Sequence, residues 1–87
     1  MVVIKKNLII KNKQGLHARP AALFVQAACK FNSHIVVRKG RKKVNGKSIM
    51  GILMLAAEKG SRISIEADGK DEEMAIEELE RIVSAEE

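Results

Sequence analysis

The 87 residues, 46% of them hydrophobic, suffice for one domain over 1–87 with a modest core and are too few for two. With two Phe and no Trp or Tyr, that core must be aliphatic side chains and methionine, and no surface is available on which nucleic-acid bases could stack. The net charge of +5 is unevenly laid out: residues 1–57 hold twelve Lys and Arg and no acid, whereas residues 58–87 hold four bases and all 11 Asp and Glu. Such a basic half can steer an acidic partner, an effect that weakens with salt. The single Cys29 excludes an intramolecular disulfide, and with His34 it has no metal-ligand spacing, so neither a metal nor a cofactor is expected. Met1-Val2-Val3-Ile4 runs straight into Lys5-Lys6, too short for a signal peptide or membrane span, so the expected location is cytoplasmic, without membrane insertion.

Val2, Ile4, Leu8 and Ile10 fall on one face at period two, with Lys6 the exception, which predicts a strand over 2–10. Asn12 to Gly15 form a loop, and a helix runs from about Ala18 to Lys30, with Pro20 in its first turn. That helix is apolar around its circumference, so part of its apolar face should stay exposed. Ser33 to Lys39 is a second strand centred on Ile35-Val36-Val37, and Gly40 turns it into a short third strand ending near Val44. The tip, Arg38-Lys39-Gly40-Arg41-Lys42-Lys43, reads as a solvated edge that resists aggregation; the scarcity of aromatics and the lack of any nucleic-acid signature argue against a nucleic-acid partner.

Ser48 fits the N-cap of a short helix from Ile49 to about Ala57. Ile49, Met50, Ile52, Leu53, Met54 and Leu55 exceed what one buried stripe needs. Either this helix is wholly buried, or Ile49, Met50 and Leu53 form an exposed docking patch. Over Ser61 to Asp68, Ile63, Ile65 and Ala67 alternate with Arg62, Ser64 and Glu66, a strand with one wet face. After Gly69, Asp71 should cap a final helix with Glu72 and Glu73 in its first turn and Ile76, Leu79, Ile82 and Val83 as its core stripe. The order predicts an α+β open-faced sandwich, although a ferredoxin-like fold shares most of it.

The chemistry concentrates at Gly15-Leu16-His17-Ala18-Arg19-Pro20. His17 lies at a helix amino end, where unpaired N–H groups and the positive end of the macrodipole favour anions such as phosphate. Arg19 adds a planar cation matched to phosphate oxygens. A neutral imidazole is nucleophilic, so the set suits a histidine that takes up a phosphoryl group and releases it. A helix cap or an ordinary surface histidine is the alternative. No Asp or Glu precedes Glu58, so the motif contains no second acid–base group, which disfavours an enzyme using His17 as general base.

Gly15-Leu16-His17-Ala18-Arg19-Pro20-Ala21, followed by Lys47-Ser48-Ile49-Met50-Gly51, resembles HPr, the family of histidine-containing phosphocarriers of the bacterial phosphoenolpyruvate-dependent sugar phosphotransferase system. The likeness covers essentially the whole chain. It implies a four-stranded antiparallel sheet with three helices on one face, in the order βαββαβα. It also implies a carrier rather than an enzyme in its own right: His17 accepts a phosphoryl group from phospho-enzyme I and donates it to enzyme IIA of a sugar transporter. By the same resemblance, the amides near Ala18 and Arg19 and the Arg19 side chain would hold the anion. Pro20 would fix the local geometry, and Gly15 would allow close approach of a partner's backbone.

A carrier that serves several partners weakly needs a small apolar contact with a charged rim. Ala22, Leu23, Gln26, Ile49, Met50 and Leu53 are expected in that contact and Arg19 and Lys47 in its rim, with ordinary packing the alternative, most of all for Leu23 and Leu53. A monomer is expected. Ser48 matches the serine that HPr kinase/phosphorylase modifies in catabolite regulation, where the phosphoprotein meets a transcriptional regulator. Gln14 departs from the small polar residues common before the glycine, which weakens any side-chain contact to phosphate from there. The nitrogen-related branch of the system is an alternative, as is a purely regulatory module acting through phospho-Ser48. The catabolite-repression paralogue of that second kind lacks the histidine retained here.

Overall fold

The computed structural model describes residues 3–85. Seven elements follow in order: β1 (Ile4–Ile9), α1 (Ala18–Cys29), β2 (His34–Lys39), β3 (Lys42–Asn45), α2 (Ile49–Leu55), β4 (Arg62–Asp68) and α3 (Glu72–Ser84). The strands form one sheet in the order β1-β4-β2-β3, each neighbouring pair antiparallel, and the three helices cover one face. With β4 inserted between β1 and β2, the open-faced sandwich is the arrangement formed. Val2, placed in the first strand by its alternation, lies outside the described residues.

The period-two pattern explains which face meets the helices. Leu8 opposite Ile63, and Ile35 opposite Ala67, point toward them, while Asn7, Ser64 and Arg38 line up across three strands on the open side. The core gathers Ile35, Val37, Ile63 and Ile65 from the sheet, Phe24 and Ala28 from α1, Ile52 and Leu55 from α2, and Ile76, Leu79 and Val83 from α3. Lys6, the exception in β1, points to the helix side and reaches Glu80 of α3 at 3.7 Å, a half-exposed pair worth a few tenths of a kcal/mol. The outward face of β4 is less wet than its alternation suggests, because β4 is central: Ser64 is buried, and Glu66 accepts from Arg38 Nε at 2.6 Å.

Two helix ends depart from expectation. α2 stops at Leu55 because Ala56 takes a left-handed conformation, φ +53, and its N–H donates to Leu53 O at 3.1 Å. Ala56 and Ala57 thereby leave the helix and turn toward the loop before α1, where the Ala57 carbonyl accepts the Leu16 N–H at 2.8 Å.

Asp71 precedes α3, yet its carboxylate does not cap that helix. It accepts instead from the Asn32 N–H at 2.8 Å, from the Ser33 N–H at 2.9 Å and from the Ser33 hydroxyl, clamping the turn after α1 to the start of α3. The Gly69 N–H at the head of α3 is met by the Glu72 carboxylate at 3.3 Å. The Ser33 hydroxyl, and after it the Asn32 N–H, hold the Asp71 carboxyl below the usual carboxylate range. A carboxyl depressed by folding stabilises the native state above its unfolded value, about 3.9, and loses that contribution as pH falls through its folded value. Asp71→Asn should therefore lower the melting temperature at pH 7, with the deficit against wild type narrowing below about pH 4 in melts followed by circular dichroism.

Candidate functional site

The loop that delivers His17 is clamped on both sides. Gly15 takes φ +71, and its N–H donates to Asn12 O at 3.1 Å. The Leu16 N–H donates to Ala57 O, and the Leu16 side chain is fully buried, so the residue before His17 is an anchor. Asn12, 4% exposed, donates from Nδ2 to Ala85 O at 2.7 Å and to Ile82 O at 3.4 Å, strapping the loop to the carboxyl end of α3. Asn12 reads only as a turn residue in the sequence; its partners lie some 70 residues away, and no local signal marks them.

Gly15 has a different role from the one expected. Its backbone does come close to another, but that backbone is the chain's own: a Cβ there would lie 2.4 Å from Ala57 O and 2.9 Å from the Glu58 Cα. Gly15 is itself buried and offers no surface to a partner.

His17 occupies the N-cap position of α1 in extended conformation, φ −120 and ψ 160, but its side chain makes no capping hydrogen bond. The cap alternative thus holds for the backbone alone, and the half-exposed imidazole keeps its nitrogens free of the helix. Ala18 follows with φ +42, an unfavourable conformation for a residue with a Cβ, costing on the order of 1 kcal/mol or more. The Ala18 and Arg19 N–H groups have no acceptor within the helix, and Pro20, buried at the third helical position, has no N–H to offer. Arg19 is exposed, with no acidic partner among the described residues. An imidazole, two free amides and a guanidinium therefore share one helix end, the donor set an anionic group requires.

α1 and α2 run antiparallel, joined near one end by the Leu16–Ala57 bond and near the other by Lys47 Nζ donating to Phe31 O at 2.7 Å. Lys47, expected in the charged rim, is half-buried and tethered at the carboxyl end of α1, where it offsets the negative end of the dipole. α2 is not wholly buried: Ile52 and Leu55 enter the core, while Ile49, Leu53 and Met50, 64% exposed, face out. Leu23 and Gln26 of α1 are exposed and Ala22 is half-buried. Met54, 67% exposed, adds apolar surface on α2 that the expected patch leaves out. Period 3.6 could not show this, because six apolar residues in seven positions look alike from every side.

Ser48 caps α2, its Oγ accepting the Gly51 N–H at 3.1 Å. Ser48 and His17 sit at opposite ends of the α1–α2 pair, about 18 Å apart along a helix of twelve residues. Cys29 is exposed near the Ser48 end and makes only a long contact from Sγ to Lys47 O, 3.9 Å. Among the described residues no helix is long and apolar enough to cross a membrane.

Comparison with known proteins agrees with this fold. The family model for the PTS HPr component phosphorylation site matches residues 4–85. The HPr-like protein Crh of Halalkalibacterium halodurans is 51% identical over 77 residues, covering 88% of this chain and 92% of the relative. The crystal structure of the phosphocarrier protein HPr from Bacillus anthracis superposes with a TM-score of 0.93 at 47% identity, over 95% of this chain and 99% of that one. An HPr dimer from Thermoanaerobacter tengcongensis is 60% identical, with a TM-score of 0.70 over 83% of each chain. The chain belongs to the HPr family of the phosphotransferase system.

Proposed function

We propose that this chain is a phosphocarrier: His17 takes a phosphoryl group from phospho-enzyme I and hands it to enzyme IIA of a sugar transporter. The observation that carries this reading is the half-exposed imidazole at the amino end of α1, capping nothing and flanked by two free amides and Arg19. A ring nitrogen's lone pair displaces the donor's leaving group at phosphorus, and the resulting P–N bond is labile enough to pass the group on. Phosphoryl transfer asks mainly for positioning and charge stabilisation. The clamped loop supplies the first, and the amides with the guanidinium supply the second.

Leu23, Ile49, Met50 and Leu53, with Met54 beside them, form the apolar seat on which partners dock in turn, a use that suits a monomer acting in the cytoplasm. Ser48 is the regulatory position. A phosphate there would add a charge of about −1.5 to −2 beside Ile49 and Met50 and repel an acidic partner, while the start of α2 tolerates it.

The similarity to a relative named HPr-like protein Crh supports a second reading, a regulatory module acting through phospho-Ser48 alone. The deciding experiment is the intact mass of the protein after incubation with phosphoenolpyruvate and purified enzyme I. The expected result is one added phosphate that is lost on brief acid treatment. An unchanged mass with a competent enzyme I would remove the carrier reading and leave the serine-only module.

A further inference from the structure

The β2–β3 hairpin carries five cations in six residues, Arg38 to Lys43, around the two-residue turn Gly40-Arg41. Its register sets like charges directly opposite one another, Arg38 against Lys43 and Lys39 against Lys42, an arrangement that destabilises a strand pair. Relief is slight. Arg38 meets Glu66, and Lys39 Nζ donates to Ala56 O at 3.0 Å. Arg41, Lys42 and Lys43 are exposed and have no acidic partner among the described residues. A hairpin that needed only a soluble edge would gain more from mixed charges, so the repulsion points to an anionic surface that binds there.

The position of the hairpin narrows what that surface can be. The Lys39 bond brings the base of the turn against Ala56, and the next residue, Ala57, accepts from Leu16, immediately before His17. Hairpin and phosphoryl acceptor therefore occupy the same end of the molecule, with exposed Lys13 and Lys59 on the loops there. A planar lipid surface laid on this end would cover His17 and shut out the next protein in the relay. Bases would find no Trp or Tyr to stack on; Phe24 is buried and Phe31 lies at the opposite end of α1. A folded protein that reaches His17 can also present acids to the hairpin.

We infer that the β2–β3 hairpin is an electrostatic docking arm that engages an acidic surface of the phosphotransfer partner, outside the apolar seat on α1 and α2. This rests on the phosphocarrier reading. Rim charges act mainly on encounter, raising the association rate in a salt-dependent way. The partner is thus a protein with an apolar contact for Leu23 and Met50 and a separate acidic lobe placed to meet Arg41, Lys42 and Lys43.

The test is the steady-state initial rate of phosphoryl transfer from phosphoenolpyruvate through enzyme I to the full chain and to the triple variant Arg41→Gln, Lys42→Gln, Lys43→Gln, each over a range of concentrations. The expected result at about 20 mM salt is a fall of about tenfold in kcat/KM with kcat retained, shrinking to less than about twofold at about 0.5 M salt. The variant should melt no lower than wild type, because the like-charged pairs are gone, and Arg41→Lys should transfer as wild type does. Wild-type transfer with an unaltered rate and salt slope in the triple variant overturns the arm alone. A wild type that accepts no phosphoryl group overturns the carrier reading and the arm with it. Hairpin-dependent binding to vesicles rich in phosphatidylglycerol, with unaltered transfer, assigns the cations to lipid and likewise overturns the proposal.

Discussion

Replacing His17 by alanine should reduce phosphoryl acceptance from enzyme I to background, below about one-thousandth of the wild-type rate, as expected when the nucleophile itself is removed. No substitute stands nearby. His34 opens β2 opposite Asp68, at the far end of that strand from Lys39, and Ser48 and Cys29 lie at the other end of the α1–α2 pair. Stability should hardly change, by less than about 0.5 kcal/mol, because the imidazole is half-exposed and makes no capping bond. The pair of measurements is intact mass after incubation with enzyme I and a thermal melt. An acid-labile phosphate on the variant would show that another side chain is the acceptor. A melting temperature several degrees lower would show that His17 holds the loop as well as reacting.

Where the pattern is local, the sequence is readable. Period two in β1 and β4, the Pro20 in the first turn of α1 and the Gly40-Arg41 turn each mark an element from within a few residues, and the elements form close to where those signals place them. The motif around His17 is local too, and so the donor set at the start of α1 could be anticipated. What stayed illegible depends on distant partners. Asp71 looks like a cap for its own helix, yet Ser33 and Asn32 offer three donors to its carboxylate. Asn12 looks like a turn residue until α3 brings its carboxyl end alongside. Lys47 reads only as a rim cation until Phe31 turns a carbonyl toward it. Ala56 looks like one more helical residue until its left-handed conformation ends α2 and Ala57 meets the distant Leu16 N–H.

Gly15→Ala should be among the most damaging single substitutions outside the core, and it acts on fold and chemistry together. Two penalties combine. A side chain at φ +71 is strained by about 1 kcal/mol, and the new Cβ would meet the Ala57 carbonyl oxygen at 2.4 Å and the Glu58 Cα at 2.9 Å. Both neighbours are backbone, so no flexible side chain can swing away. The loop must move, and the nearest bond to break is Leu16 N–H to Ala57 O, which sits directly before His17. A loss of about 2–4 kcal/mol is expected, lowering the melting temperature by roughly 10 °C or more in a domain of this size. Phosphoryl transfer should fall even at temperatures where the variant is fully folded, because the imidazole and the two amides no longer share their relative placement. Gly40→Ala separates strain from clash: Gly40 also has a positive φ, +59, but a Cβ there meets nothing within 4 Å. That variant should lose only the strain, about 1 kcal/mol, and transfer normally. Equal losses in the two variants would mean that the Gly15–Ala57 contact does not hold the His17 loop in place.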